Sequence, residues 1–207
     1  MEQEKQIQES LQEIIHQAND EQEDIKCCTW TDKKETIFAQ KLEFFHCDWQ
    51  NCKCTDSTLT DMNFHQNVFQ NCDFSNTDFS GSTFVKTKFI NCKLVGCNFT
   101  NCSFYQTQIE NSHCAYANFY SSYQKEVTWK ETNLTNSVIS ETKFHQVKWQ
   151  NCNLQKAQLF QTTLQGIDFT TCDLAGIVVS IPDLKGVKVN EWQAIELAKL
   201  MGIIIEP

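Results

Sequence analysis

The sequence predicts an all-β solenoid, a chain wound into a square coil of stacked turns. Three observations predict it. From Phe44 to Val189 every fifth residue is apolar except Gln124. A second column, two residues before each of these, is mostly small or β-branched, as in Cys72, Thr77, Ser82, Thr87, Cys92 and Cys97. Twelve of the fifteen phenylalanines stand on the five-residue beat, and Gly81, Gly96, Gly166, Gly176 and Gly186 stand two residues after it. Inward columns spaced by two belong to an extended chain, whose alternate residues share a face. A period of five matches neither the helical stripe nor the heptad. Four inward residues close a square, so residues twenty apart lie one above another, as Phe44, Phe64, Phe84 and Phe104 would. A period held over about 150 residues means stacked repeats, because each unit buries its apolar residue only against its neighbours. Glycine after the beat supplies the tight or positive-φ corner such a coil needs.

From the N-terminus, residues 1–26 break the beat. Ile7, Leu11, Ile14 and Ala18 recur at helical spacing and predict an amphipathic helix. Such a helix either caps the open end of the coil or docks a partner. Residues 27–189 are the coil, with 27–41 reading as irregular first repeats out of phase with the main beat. Residues 190–207 form a C-terminal unit of helix and short strand. Asn190 is a good N-cap with Gln193 as its capping-box partner, Gly202 is a good stop, and Ile203, Ile204 and Ile205 make a β-prone tail. Together with Trp192, Leu197 and Leu200 they present more apolar surface than capping one coil requires.

Ten of the twelve cysteines fall into the same register. Eight occupy the small column and two, Cys54 and Cys114, stand on the beat, so they read as core filler. This usage fits a reducing, cytoplasmic compartment rather than a disulfide framework. The five histidines are scattered and no hydrolase, metalloprotease or nucleotide-binding motif is present, so no catalytic, metal or cofactor residue is assigned. His113 beside Cys114 is not a pair, since one faces out and the other in. No run of eighteen apolar residues occurs, and the chain opens on Glu2, Glu4 and Lys5, so neither a membrane span nor a signal peptide is expected.

The net charge is −9, of which eight acids against Lys5 and Lys26 place −6 in residues 1–26. Within the nearly neutral coil, Asp56, Asp61, Asp73 and Asp78 mark an acidic end. The chain has no arginine, the residue best suited to bidentate phosphate contacts, so direct nucleic-acid binding is disfavoured. All four tyrosines, Tyr105, Tyr116, Tyr120 and Tyr123, lie within nineteen residues. They read either as a contact patch or as cover over a weak place in the coil. Gln124 beside them marks the place for a bulge or a five-residue excursion.

Segments such as Cys72-Asp73-Phe74-Ser75-Asn76 and Ala117-Asn118-Phe119 resemble the unit of pentapeptide-repeat proteins, over roughly residues 40–189. The resemblance implies a right-handed quadrilateral β-helix. The end of the chain, from Leu184 through Val189-Asn190-Glu191-Trp192-Gln193-Ala194 to Leu200-Met201-Gly202-Ile203, is similar to that of the quinolone-resistance Qnr proteins. That similarity implies a homodimer joined through Trp192, Leu197, Leu200, Ile203, Ile204 and Ile205. It also implies a non-enzymatic, DNA-mimicking rod that binds DNA gyrase or topoisomerase IV and relieves fluoroquinolone poisoning. Asp56, Asp61, Asp73, Asp78, Tyr116, Tyr120 and Tyr123 are the residues expected to meet the topoisomerase. The alternative is a structural scaffold with an unrelated protein partner.

Overall fold

The computed structural model describes residues 5–6 and 10–206 and shows a parallel β-solenoid with a helix at each end. Register is twenty residues per turn, as in Thr83 to Ser103, Phe84 to Phe104 and Val85 to Tyr105. We number the four sides in the order the chain visits them. Face 1 carries the column Phe44, Phe64, Phe84; face 2 carries Trp49, Phe69, Phe89; face 3 carries Cys54, Phe74, Leu94; and face 4 carries Leu59, Phe79, Phe99. Faces 1 and 2 are continuous ladders of seven and eight strands, ending at Lys143–His145 and Lys148–Gln150. Face 4 opens with one strand pair, Phe38–Gln40 on Thr58–Thr60, and faces 3 and 4 otherwise pair through single bridges such as Asp73 to Lys93 and Asp78 to Asn98.

The beat residues fill the interior. Phe84 stacks on Phe64 at 5.1 Å and on Phe104 at 5.0 Å between ring centroids, and meets Phe99 of the neighbouring face edge-on at 6.0 Å. These offset and edge contacts add to the burial of each ring. The small column does more than fill space. Thr87 Oγ1 donates to Phe64 O at 3.0 Å, Thr107 Oγ1 to Phe84 O at 3.1 Å, and Cys97 Sγ to Phe74 O at 3.0 Å. Each side chain donates to a buried carbonyl of the coil below, and Phe74 O accepts from Thr77 N as well. The cysteines are therefore donors as well as filler. The ten buried ones are free thiols, and burial pushes those of Cys54 and Cys97 up to about 12.

Corners carry the cost of the winding. The residue two after the beat has positive φ at Asp56 (56°), Asn76 (59°), Lys86 (52°) and Tyr116 (61°), as at almost every turn. Each such L-residue costs on the order of 1 kcal/mol, least for Asn and Asp. Glycine also relieves crowding: a Cβ on Gly81 would lie 2.2 Å from Asp61 Oδ1, so that carboxylate would have to turn away. Along the corner between faces 2 and 3 the amides form a ladder, Asn91 donating to Asn71 at 2.7 Å and Asn71 to Asn51 at 3.2 Å.

The N-terminal helix is shorter than the expected 1–26 segment. Helix α1 spans Leu11–Glu21, with a capping box from Ser10 and Glu13. It buries Leu11, Ile15 and Ala18 against the first coil; Ile14 is only partly covered, and Ile7 lies outside the described residues. Lys5–Gln6, expected in the helix, is instead a strand that pairs with Cys28–Thr29 at the start of the face 2 ladder, and the wound coil begins at Ile25, which pairs with Phe44, nineteen residues on. Trp30 pairs with Trp49 at the same offset, whereas Ala39 pairs with Leu59 at twenty. One residue is therefore missing between Trp30 and Ala39, which explains the phase slip. At that short side Glu35 turns toward the helix start and accepts from Ser10 Oγ at 2.6 Å, Leu11 N at 3.2 Å and Gln12 N at 3.3 Å.

Gln124 makes no bulge. Its strand, Tyr123–Lys125, stays in register between Ser103–Tyr105 and Lys143–His145, and its side chain is fully buried. At the other end α2, Glu191–Lys199, begins at an Asn190 cap with Gln193 as partner. The Gln193 amide also donates to Phe169 O at 2.7 Å and Cys172 O at 2.6 Å, closing carbonyls at the coil's end. Ile203, Ile204 and Ile205 form no strand.

Candidate partner-binding face

The corner geometry turns the residue two after the beat outward, and the residues on either side of the beat point away from the core. This places Asp56 and Tyr116 in one corner column between faces 3 and 4, together with Asn76 and Gly96. Three coils separate them, ~14 Å along the axis. Asp61 lies on the opposite corner of face 4, and Asp78 and Tyr120 lie on the face itself. Asp73 sits on face 3 and Tyr123 on face 1.

The acidic residues are held rather than loose. Asp56 Oδ1 accepts from Asn76 Nδ2 at 3.1 Å, and Asp78 Oδ1 accepts from Ser80 N and Asn98 Nδ2, both at 2.9 Å. Asp73 accepts from Ser75 N and Oγ, and Lys93 Nζ stands 4.0 Å from its other oxygen. Lys53 holds the matching main-chain position on the coil below. Asp56, Asp61 and Asp78 are left as the acidic group around face 4.

The tyrosines divide. Tyr105 and Tyr123 pack together on face 1 with ring centroids 5.6 Å apart. Tyr116 is 65% exposed at its corner, and Tyr120 projects from face 4. A hydrogen bond to Glu141 holds the Tyr120 hydroxyl above the usual tyrosine range. Val85, Ile90 and Val95, also apolar outside the beat, fall on three different faces and are half-buried.

Among the described residues of the coil, every large apolar or aromatic side chain left more than a third exposed lies on face 4 or its corners: Phe38, Tyr116, Tyr120, Phe160, Val178 and Ile181. The sequence reading missed Phe38, Phe160, Val178 and Ile181, although each lies one or two residues off the beat. Reading the exterior positions face by face, at period twenty, aligns them. Face 4 is thus an aromatic and apolar strip with carboxylates at one end.

The second candidate surface is the C-terminal unit. Trp192 is 79% and Ile204 88% exposed, and Leu200, Met201, Ile203 and Ile205 are exposed beside them. Leu197, expected on that surface, turns inward and joins the coil's own core. His113 and Cys114 face opposite ways, Cys114 being fully buried with its thiol pushed well up by burial. Among the described residues no helix is long and apolar enough to cross a membrane.

Comparison with known proteins gives two family matches, one described as "Pentapeptide repeat region" over residues 42–119 and one as "Pentapeptide repeats (8 copies)" over residues 137–176. Together they cover more than half of the chain. No curated protein sequence matches it. Among solved structures, HetL, a pentapeptide repeat protein involved in heterocyst differentiation regulation from the cyanobacterium Nostoc sp. strain PCC 7120, is 13% identical, with TM-score 0.49, over 80% of this chain and 86% of its own. Full-length QnrB1, a plasmid-mediated fluoroquinolone resistance protein, is 19% identical, with TM-score 0.30, over 86% and 98%. A pentapeptide repeat protein of the Arabidopsis thaliana thylakoid lumen is 22% identical, with TM-score 0.24, over 63% and 75%.

Proposed function

The chain belongs to the pentapeptide-repeat family, and we propose that it is a non-enzymatic partner of a type II topoisomerase, DNA gyrase before topoisomerase IV. In this reading it works as a rod-shaped homodimer in the cytoplasm, takes the place of duplex DNA on the enzyme and relieves fluoroquinolone poisoning. The observation that carries the reading is face 4, where Asp56, Asp61 and Asp78 lie on the same side of the coil as the exposed rings of Tyr116 and Tyr120, two to three coils away. Carboxylates steer the rod toward a basic DNA-binding surface, and exposed aromatic rings supply close contact once it is there. The Qnr-like sequence from Leu184 to Ile203 and the exposed Trp192 and Ile204 support the two-fold contact at the C-terminus. The free buried thiols suit a reducing compartment.

The apolar length of face 4 favours a second reading, a scaffold for an unrelated protein, because Phe160, Val178 and Ile181 lie beyond the acidic end and have no part in imitating a phosphate backbone. A gyrase cleavage assay with ciprofloxacin separates the two. The purified protein is expected to lower cleaved DNA at micromolar concentration; a scaffold for another partner leaves cleavage unchanged.

A further inference from the structure

Between the coil that opens at Phe144 and the coil that opens at Leu164, the solenoid is hydrogen-bonded on two sides and lacks main-chain pairing on the other two, although the inward rings of Trp149 and Phe169 still meet across face 2 with centroids 5.6 Å apart. On faces 3 and 4 the bridges continue, Asn153 to Asp173 and Gln158 to Val178. On faces 1 and 2 both ladders stop at Lys143–His145 and Lys148–Gln150. One coil earlier Lys143 N donates to Ser122 O, Lys148 N to Val127 O and Glu126 N to His145 O. Among the described residues no equivalent main-chain bond joins 142–151 to 163–170, and pairing resumes above, where Gly166 N donates to Gly186 O and Phe169 N to Lys188 O. The gap is a cleft of about 650 Å³ on face 1, walled by Glu141, Lys143, Phe144, Thr163 and Gln165. It is followed on face 2 by one of about 400 Å³ beside Lys148, Trp149 and Asp168.

The inner column of face 2 changes near the break. Thr87 and Thr107 are followed by Val127, Val147 and Ile167. The hydroxyl that ties one coil to the carbonyl below is already lost at Val127 and Val147, whose coils stay paired, and Ile167 adds further bulk at a corner built for a small residue, which forces neighbouring backbone apart. Phe144 is the one aromatic beat residue left half-buried.

We propose that this cleft receives an extended strand of a protein partner, inserted between the two coils. Its main chain pairs with both open lips, as strands add to any free sheet edge. One apolar side chain lies inward on Phe144, and an acidic one lies outward beside Lys143 and Lys148. The segment is as short as the strands below it, three residues on each face. This inference stands apart from the topoisomerase reading.

The test uses the full chain and a fluorescein-labelled synthetic peptide copying Ser103–Glu110, which elsewhere in the coil forms such a strand, corner and strand. In hydrogen exchange, the amides of Phe144, Gln146, Trp149, Thr163 and Asp168 are expected to exchange at least about tenfold faster than those of Gln124, Glu126 and Trp129, and to slow when peptide is added. Binding is expected to saturate at one peptide per chain. An Ile167→Thr variant, which restores the small donor, is expected to weaken binding about tenfold and raise the thermal midpoint. Equal exchange rates in the two sets of amides, or no saturable binding of the peptide at ~1 mM, would overturn the proposal.

Discussion

Gln124 accepts a hydrogen bond of 3.0 Å from the indole Nε1–H of Trp129, one face further round inside the coil. The polar break in the apolar column is thus a buried partner for a tryptophan. Trp30, Trp49 and Trp149 have buried indole nitrogens with no such acceptor. Gln124→Ala removes the acceptor and opens a cavity beneath Phe144. The expected loss is about 2–4 kcal/mol in urea unfolding. An unchanged midpoint would mean that the indole finds another acceptor.

The beat itself is tested by a pair of substitutions. Phe104→Asp removes ~1.5–3 kcal/mol of burial and strands a charge among Phe84, Phe99 and Phe119, so the variant should not fold. Phe160 is 44% exposed on face 4, and Phe160→Asp should leave the thermal midpoint nearly where it was. Equal midpoints for the two variants would contradict the register.

Much of this was legible because the period is long and the core one residue wide. Phe44 through Phe104 declare their column, and Asn190 with Gln193 declares the last helix. What escaped lay where a side chain finds its partner on a neighbouring face or outside the repeat. Gln124 reads as a flaw until Trp129 is seen beside it, and Glu35 reads as a surface acid until the start of α1 is placed against it. Leu197 and Trp192 look alike in sequence, and only the tilt of α2 on the coil separates the one turned inward from the one turned out. The open cleft left a trace in the inner column of face 2, where Val147 and Ile167 replace threonine, but a loss of main-chain pairing has no residue of its own.

Glu35 ties α1 to the first coil and gives the end cap a pH dependence. Partial burial raises its pKa, but the hydrogen bonds from Ser10, Leu11 and Gln12 outweigh this and leave it below the ordinary glutamate range. A depressed folded value stabilises the cap at pH above the unfolded pKa, and that contribution is lost as pH falls through the folded one. Exchange protection of the Leu11–Glu21 amides should therefore fall below about pH 4. In Glu35→Gln the protection should be lower at neutral pH and should not change across that range. A wild-type helix indifferent to this titration would show the cap is held by Leu11 and Ile15 alone.

Dimerisation through the C-terminal unit is tested without disturbing the coil's end by Trp192→Glu and Ile204→Glu, since Gln193 and Leu197 keep their own contacts. Light scattering should report a dimer for the parent and a monomer of unchanged thermal midpoint for the double variant. A dimer that survives both changes would move the contact to another surface, α1 or face 4.

Binding of gyrase to the immobilised protein tests the central claim most directly. The account predicts saturable binding at micromolar enzyme, weakened as salt shortens the range of charge attraction to about 10 Å at 0.1 M. Changing Asp56, Asp61, Asp73 and Asp78 to Asn should slow association, with Asp73 contributing least because it lies on face 3 with Lys93 4.0 Å away. Tyr116→Ala with Tyr120→Ala should speed dissociation, whereas Tyr123→Ala, on face 1, should do neither. If neither gyrase nor topoisomerase IV binds at that concentration, or if the face 4 variants bind as the parent does, the account is contradicted.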